Sequence, residues 1–224
     1  MKQIILGIAT VLIFTACAKK SKTCCKQHKE TVIPTDEIIV INTKFGEIKA
    51  VLYEETKAHK ANFLKLTKEG FYDSTTFHRI ISGFMIQGGD PNSKDEDPNN
   101  DGQGGPGYTV PAEFFSQFEH KRGALAAARI GGPSNPDKRS SGSQFYIVEP
   151  KEGTHFLDKN YTVFGEVFEG LEVVSRIALQ PKNTRDRPKV NILMTITTET
   201  VPRDSVTAWT GYQYPVIIKE EGAE

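Results

Sequence analysis

The chain has 224 residues, of which 38% are hydrophobic and 25% are charged, a composition typical of a globular protein with enough material for one sizeable core. Its 28 Lys and Arg residues balance 28 Asp and Glu residues, so the formal net charge is zero. A neutral chain lacks the broad positive field that gathers nucleic acid or an anionic membrane surface. We therefore expect no nucleic-acid partner, and one domain with short appendages.

The N-terminus has the pattern of an export signal. Lys2 precedes an apolar run over residues 4–14, and small residues lead to Cys17. The run is too short to span a bilayer as a permanent helix. Its ending, FTAC, resembles the lipobox of bacterial lipoproteins, in which the cysteine becomes the lipidated first residue. We expect a signal peptide at residues 1–16, lipid attachment at Cys17 and an extracytoplasmic, membrane-tethered protein that faces the periplasm, with simple secretion as the alternative.

Residues 17–35 are polar and rich in Lys, which predicts a flexible tether. They include Cys24, Cys25 and His28, but adjacent cysteines do not match the C-x-x-C spacing of zinc sites. A tether is therefore favoured over a metal site. In an oxidising compartment Cys24 and Cys25 are able to form disulfides within or between chains, and the sequence leaves that choice open.

The domain is predicted over residues 36–198, beginning with two strands and a helix. Residues 37–43 are typical of a buried strand, and residues 47–53 alternate in the manner of a half-buried one. Thr56 is expected to cap a helix that ends at Gly70.

Residues 75–90, TTFHRIISGFMIQGGD, predict a hairpin that displays one cation. Side-chain alternation places Arg79 on the first arm on the same face as Met85 and Gln87 on the second. Phe84 is expected to point the other way unless a bulge or the rim of a barrel re-aims it. No nucleophile, carboxylate pair or metal-ligand cluster accompanies the arginine in this stretch. The chemistry indicated is charge donation to a substrate in which no bond is broken.

The following elements alternate between loops and strands. Residues 91–107 predict a surface loop, with a calcium site as a weak alternative because Pro98 interrupts its acidic series and no glutamate closes it. The small residues of 123–128, GALAAA, predict a strand that lets a ligand backbone approach closely. In the strand around SQFYIV, Gln144 and Tyr146 share one face.

The end of the chain completes the sheet. A strand is predicted over residues 161–168, a short helix over residues 171–178 and a closing strand over residues 190–198. Residues 199–224 form an extension of unknown role that holds the only tryptophan, and packing on the protein surface is the default expectation for them.

Three runs, FHRIISGFMIQGGD, SGSQFYIV and HFLDKNYTVFGEV, together resemble the cyclophilin family of peptidyl-prolyl cis/trans isomerases, in the family's order and spacing. The resemblance spans residues 36–198. It implies a mainly β fold, a closed eight-stranded antiparallel barrel with a helix over each end and the ligand groove outside. It also implies a monomeric isomerase that needs no cofactor or metal and acts on proline-containing polypeptides.

The resemblance also assigns the site. Arg79 and Gln87 take the catalytic positions, and Arg129 replaces the asparagine common in eukaryotic members. Phe156 occupies the family's tryptophan position, so tight binding of cyclosporin is not expected. The implied substrate-binding residues are Phe84, Met85, Ala128, Arg129, Gln144, Tyr146, Phe156, Leu157 and Tyr161.

Isomerisation of a peptidyl-prolyl bond is a reaction that a single guanidinium can assist, because no bond is broken. Twisting the amide through a barrier of about 18–20 kcal/mol localises the lone pair on the prolyl nitrogen, which then accepts a hydrogen bond. Arg79 would bind that state better than either planar state. The alternative is a non-catalytic chaperone or scaffold that holds proline segments in the same groove, and the intact pair of Arg79 and Gln87 favours the enzyme.

Overall fold

The structure, a computed structural model, describes residues 33–216. The predicted signal peptide, Cys17 and residues 18–32 of the tether lie outside the described residues, as do residues 217–224. None of the three helices within 33–216 combines the length and the apolar character that crossing a bilayer requires.

Strands dominate the described chain. Strands β1 to β11 occupy, in order, Thr35–Thr43, Gly46–Leu52, Thr75–Thr76, Arg79–Ile81, Met85–Gly88, Thr109–Val110, Ala124–Ala127, Ser140–Ser141, Phe145–Val148, Val163–Glu169 and Leu193–Pro202. Helices α1 to α3 occupy Lys57–Lys68, Leu171–Ala178 and Arg203–Thr210, and single 3-10 turns occupy Pro91–Lys94 and His155–Leu157.

Nine of these strands form one antiparallel sheet in the order β3-β11-β1-β2-β10-β7-β9-β5-β4, and β6 pairs separately with β8. The two edge strands, β3 and β4, are separated in the chain only by Phe77 and His78. A link this short spans about 11 Å at most, so the sheet must curl until its edges approach each other. Counting β3 and β4 as one interrupted strand leaves eight strands (nine minus one), as the resemblance implies. The prediction of a mainly β, eight-stranded barrel is confirmed.

Alternation along the strands separates two apolar clusters. On β2, Ile48, Ala50 and Leu52 point inward together, as predicted, while Val51 points outward. On β9 the inner cluster receives Phe145 and Ile147, and the outer cluster receives Tyr146 and Val148. A side-chain period of two therefore decides which residues of each strand fill the core and which face outward.

Helices α1 and α2 lie at opposite ends of the barrel. Lys60 of α1 donates to Asp36 at the start of β1 (2.8 Å) and to the main-chain oxygen of Leu52 at the end of β2 (3.2 Å). At the other end of the β1–β2 hairpin, a Cβ on Gly46 would lie 3.2 Å from Val173 of α2. Both helices contribute side chains to the inner cluster. They therefore close the two ends of the core.

The start of α1 differs from the expectation. Thr56 occupies the N-cap position, but its hydroxyl donates to the main-chain oxygen of Tyr53 (3.1 Å) and forms no capping bond. Glu113 caps the helix instead, because its carboxylate accepts the main-chain N–H groups of Ala58 and His59 at 3.0 Å each. A carboxylate is also favoured by the partial positive charge of a helix N-terminus. The prediction of a Thr56 side-chain cap is wrong.

The C-terminal extension is integrated with the barrel up to residue 216. Strand β1 pairs along its whole length with β11, from Thr43 opposite Met194 to Thr35 opposite Pro202, so the predicted boundary after residue 198 lies inside a strand. Helix α3 follows at once, and its Val206 is fully buried in the outer cluster. Within the described residues the default expectation of surface packing is confirmed.

We predict that Val206→Ala lowers the free energy of unfolding by about 1–3 kcal/mol, because it removes two buried methyl groups and leaves a cavity. The matched control is Val216→Ala, the same substitution ten positions later at a side chain that is 87% exposed. Urea denaturation of the full chain measures both. Equal stability of the two variants would show that α3 does not contribute to the cooperative unit.

Candidate active site

The site begins at the β4–β5 hairpin. Arg79 lies directly opposite Gln87, and Ile81 lies opposite Met85, which leaves a three-residue turn. In that turn the main-chain N–H of Phe84 donates to the oxygen of Ile81 (3.0 Å). Because Phe84 belongs to the turn, the default of strand alternation does not apply to it. Its side chain lies with that of Met85 at the site, where the resemblance puts it.

A hollow of about 130 Å³ lies on the outer surface beside Arg79. It collects all the predicted site residues except Gln144 and Phe156. Six of its nine lining residues are apolar or aromatic, and Arg79 and Gln87 lie directly opposite each other on the β4–β5 hairpin. The lining consists of Arg79, Phe84, Met85, Gln87, Ala128, Arg129, Tyr146, Leu157 and Tyr161.

The guanidinium of Arg79 has no hydrogen-bonding or ionic partner among the described residues. Within residues 33–216 its side chain makes no hydrogen bond and no ion pair, although the residue is half-buried. Other arginines of the barrel are paired, Arg187 with Asp101 at 2.5 Å and Arg203 with Glu54 at 2.8 Å. A guanidinium carries several rigid donors and remains charged. Arg79 therefore presents these donors to whatever enters the hollow.

Gln144 lies next to the hollow and orients Gln87. Its amide nitrogen donates to the main-chain oxygens of Gly102 (3.0 Å) and Gly104 (2.8 Å). Its amide oxygen is then left to accept from the Gln87 amide nitrogen at 3.1 Å. This chain of bonds fixes the Gln87 amide and leaves the Gln87 oxygen without a partner among the described residues. Gln144 thus acts on the site through Gln87 and through a neighbouring loop.

Phe156, predicted to bind substrate, lies at the rim. Its side chain is 73% exposed, and its ring stacks on that of Phe84 with centroids 5.9 Å apart. The next residue, Leu157, does line the hollow. The stacked rings of Phe84 and Phe156 therefore form an aromatic surface at the entrance of the hollow.

Ala128 and Arg129 differ in what they offer a ligand. The N–H of Ala128 donates to the oxygen of Gln144 (3.0 Å), and its own oxygen accepts from the N–H of Ser141 (2.8 Å). The main-chain N–H and oxygen of Arg129 have no partner in the described part of the chain. Its guanidinium is held over the Tyr161 ring, 4.4 Å from the centroid. Of these two residues, Arg129 is therefore the one whose main-chain N–H and oxygen are free to pair with a peptide.

The wall residue Tyr146 has a polar support that sequence reasoning missed. Its hydroxyl lies 2.9 Å from the ring nitrogen Nε2 of His120, and His120 Nδ1 lies 2.7 Å from Asp158. Burial raises the pKa of Tyr146 well above its usual value, so the hydroxyl keeps its proton. The signal in the sequence was Tyr146 itself. A tyrosine in a buried strand holds its hydroxyl away from water, and such a hydroxyl needs a hydrogen-bond partner. The partner itself lies far away in the chain.

Two acidic side chains of the loop after β5, Asp95 and Asp97, accept hydrogen bonds from within the loop. Asp95 accepts the main-chain N–H of Asp97 at 2.7 Å, and Asp97 in turn accepts that of Asn99 at 2.9 Å. Among residues 33–216, no group of three or more His, Cys, Asp or Glu side chains has a geometry suited to a metal ion.

Comparisons with known proteins identify the family of this chain. The family model described as "Cyclophilin type peptidyl-prolyl cis-trans isomerase/CLD" matches residues 38–199. Peptidyl-prolyl cis-trans isomerase-like 3 of Dictyostelium discoideum is 35% identical over 161 residues, which cover 70% of this chain and 91% of that protein. Peptidyl-prolyl cis-trans isomerase B of Bacillus subtilis is 44% identical over 119 residues, covering 53% and 73%.

Among solved structures, a Cryptosporidium parvum cyclophilin-type peptidyl-prolyl cis-trans isomerase superposes with a TM-score of 0.65 at 28% identity. The superposition covers 75% of this chain and 100% of that one. The family match ends close to residue 198, so helix α3 lies beyond it.

We predict that Gln144→Met frees the Gln87 amide and loosens residues 102–104, because three hydrogen bonds are lost while side-chain length is kept. Hydrogen exchange in the loop should speed up about two- to tenfold, since each neutral hydrogen bond contributes about 0.5–1.5 kcal/mol. The control is Gln103→Met, whose side chain bonds only the exposed loop. Side-chain amide NMR signals of Gln87 and backbone exchange report the result. An unchanged Gln87 signal in Gln144→Met would contradict the orienting role.

Proposed function

Because the chain belongs to the cyclophilin-type peptidyl-prolyl cis-trans isomerase family, we propose that the hollow beside Arg79 is where it isomerises X-Pro bonds. The observation that carries this proposal is the uncommitted guanidinium of Arg79 at the edge of an apolar hollow. A proline ring is apolar, and the amide nitrogen attached to it gains basic character only when the bond is twisted.

Arg79 acts on the twisted amide. In the planar forms the nitrogen lone pair is delocalised into the carbonyl, and the barrier to rotation is about 18–20 kcal/mol. Halfway through the rotation the lone pair is localised and accepts an N–H from the guanidinium. The interaction is stronger in the transition state than in either ground state, which is the condition for lowering the barrier.

One hydrogen bond does not provide the whole effect. A bond to a charged group contributes about 1.5–3 kcal/mol, and a tenfold rate increase requires about 1.4 kcal/mol. Arg79 thus contributes about one to two powers of ten. The walls formed by Phe84, Met85 and Tyr146 add to this by excluding water and by holding the proline ring while the peptide on the other side of the bond rotates.

The peptide main chain is held at Arg129. Its unpaired N–H and oxygen are placed to pair with an extended peptide in the manner of strand addition. A larger cleft of about 1120 Å³ adjoins the hollow at Gln87, Ala128 and Arg129 and gives the peptide room to continue.

The pattern of the N-terminal sequence supports an extracytoplasmic location for this activity. We propose that lipid attachment at Cys17 tethers the enzyme to a bacterial membrane facing the periplasm, where it assists the folding of exported proteins. Uncatalysed X-Pro isomerisation takes tens to hundreds of seconds, long enough to limit folding. The polar segment up to residue 32 supplies the reach between anchor and barrel.

We predict that Arg79→Ala lowers kcat/KM for an X-Pro peptide about ten- to hundredfold, and that Arg79→Lys falls between it and the wild type, because lysine keeps the charge but loses the fork. A protease-free NMR exchange assay measures turnover on the full chain. The control is Arg185→Ala. Arg185 lies with Arg79 along a neighbouring cleft but outside the hollow, so the change removes a nearby cation and keeps the site.

Turnover equal in the wild type and in Arg79→Ala would remove the catalytic role assigned to Arg79. Peptide binding without turnover in the wild type would identify the protein as a proline-binding chaperone or scaffold instead. A loss in Arg185→Ala as large as in Arg79→Ala would attribute the effect to general electrostatic attraction.

We predict that Cys17→Ser moves the protein from the membrane fraction to the soluble extracytoplasmic fraction, since one hydroxyl replaces the thiol that carries the lipid. Cys24→Ser, seven positions later, is the matched control and should remain with the membrane. Fractionation followed by mass measurement of the N-terminal peptide checks both. Membrane retention of Cys17→Ser would disprove lipid anchoring at this residue.

A further inference from the structure

A buried chain of polar groups runs behind the hollow from Tyr146 to the protein surface. The Tyr146 hydroxyl is 2.9 Å from His120 Nε2, and His120 Nδ1 is 2.7 Å from one oxygen of Asp158. The other Asp158 oxygen lies 3.0 Å from His155, which is half-exposed. His120 has no exposed surface, does not line the hollow and has no part in the isomerisation described above.

The partners determine where the protons are. Burial acts to raise the pKa of Asp158, but hydrogen bonds from the main chain and ring of His120 and from His155 outweigh it and lower the pKa. The carboxylate is therefore ionised and only accepts, so His120 Nδ1 carries the proton. Burial lowers the pKa of His120 against the opposing effect of Asp158, which leaves the ring neutral at neutral pH. Its Nε2 then accepts the proton of the Tyr146 hydroxyl.

This arrangement fixes the Tyr146 ring as a wall of the hollow. The hydroxyl is directed to a residue outside the hollow, the ring is nearly parallel to that of His120 (14°), and its edge meets Tyr161 with centroids 6.0 Å apart. A phenylalanine ring in the same place would pack in the same way but would lack the hydroxyl that bonds to His120. A wall that does not move loses less freedom when a proline ring binds.

We propose, on the basis of the isomerase function above, that His120 and Asp158 are positioning residues that hold Tyr146 in place for proline binding, and that protonation of His120 weakens this hold because the Tyr146 hydroxyl proton then loses its acceptor. Neither residue touches the substrate. Their effect is exerted entirely through the Tyr146 hydroxyl.

The direction of the pH effect follows from hydrogen-bond roles. When His120 gains a second proton, Nε2 becomes a donor to the Tyr146 oxygen, and the hydroxyl proton of Tyr146 has no other acceptor among the described residues. Proline binding should therefore weaken as the pH falls through the His120 pKa, which lies below the usual histidine value of 6.5. The groups that face this chain are Asp158, His155, Tyr161 and Arg129, with Glu119 lying 3.9 Å from His155.

The test compares three variants of the full chain with the wild type between pH 5 and 8. Tyr146→Phe removes only the hydroxyl. Asp158→Asn keeps an acceptor for His120 but removes the negative charge that raises its pKa. His155→Gln, the matched control, changes a residue that bonds the same carboxylate but does not reach Tyr146. KM for an X-Pro peptide in a protease-free assay is the readout, because KM does not depend on the fraction of enzyme that is folded.

Three results are expected. In the wild type KM rises on acidification below pH 6.5. In Tyr146→Phe KM is raised about two- to tenfold at neutral pH, the loss of one neutral hydrogen bond, and its dependence on acid pH is lost. In Asp158→Asn the inflection moves to lower pH, and His155→Gln keeps the KM of the wild type at neutral pH.

Wild-type KM and pH dependence in Tyr146→Phe would overturn the proposal, as would an inflection that Asp158→Asn leaves unmoved. Failure of the proposed function is recognised separately, because the wild type would then turn over no faster than Arg79→Ala. In that case the same comparison on the dissociation constant of the proline peptide, together with the ¹⁵N shift of His120 Nε2 as an acceptor nitrogen, decides whether the chain positions Tyr146.

Discussion

The short link of Phe77 and His78 constrains the whole architecture. It joins β3 at one edge of the sheet to β4 at the other, so the sheet cannot remain open. Once the sheet is curled, each strand has an inner and an outer side, and alternation assigns every residue to one of them. Ile80 and Ile86 enter the core, while their neighbours Arg79 and Gln87 face outward. The candidate site lies on the outer side of the barrel because the residues that alternate with its members, such as Ile80 and Ile86, fill the core.

Within the described chain, several cations of the barrel are committed to ion pairs, whereas Arg79 is not. Lys60 is almost fully buried, and it is bonded to Asp36 and Glu54, because an unpaired charge there would carry a large desolvation cost. Arg203 extends the same group of charges and ties α3 to the start of β1. Arg79 has no such partner in residues 33–216. A guanidinium at a surface hollow keeps part of its hydration, so it remains available for a ligand that arrives with a suitable acceptor.

The apolar hollow depends on polar groups that do not line it. Gln144 orients Gln87 from one side through the carbonyls of the neighbouring loop. His120 holds Tyr146 from the other side through its hydroxyl. Both arrangements place a fixed amide or ring at the hollow, and in both the supporting residue, Gln144 or His120, does not itself line it. Fixing a wall in this way reduces the ordering that binding would otherwise require.

The sequence by itself determined the kind of fold and most of the site. Local periods identify strands and the helix Leu171–Ala178, and three motifs in family order are sufficient to group Arg79 with the residues of the hollow. Short-range patterns determine these features because alternation and turn chemistry act between neighbours. Contacts between distant residues follow from no such pattern. Only the tertiary structure decided that Glu113 rather than Thr56 caps α1, and that residues beyond 198 belong to the barrel. Partners such as His120 and Tyr146 come together only when the sheet has closed, because the groups that satisfy a buried hydroxyl or a helix end are chosen by distance in space.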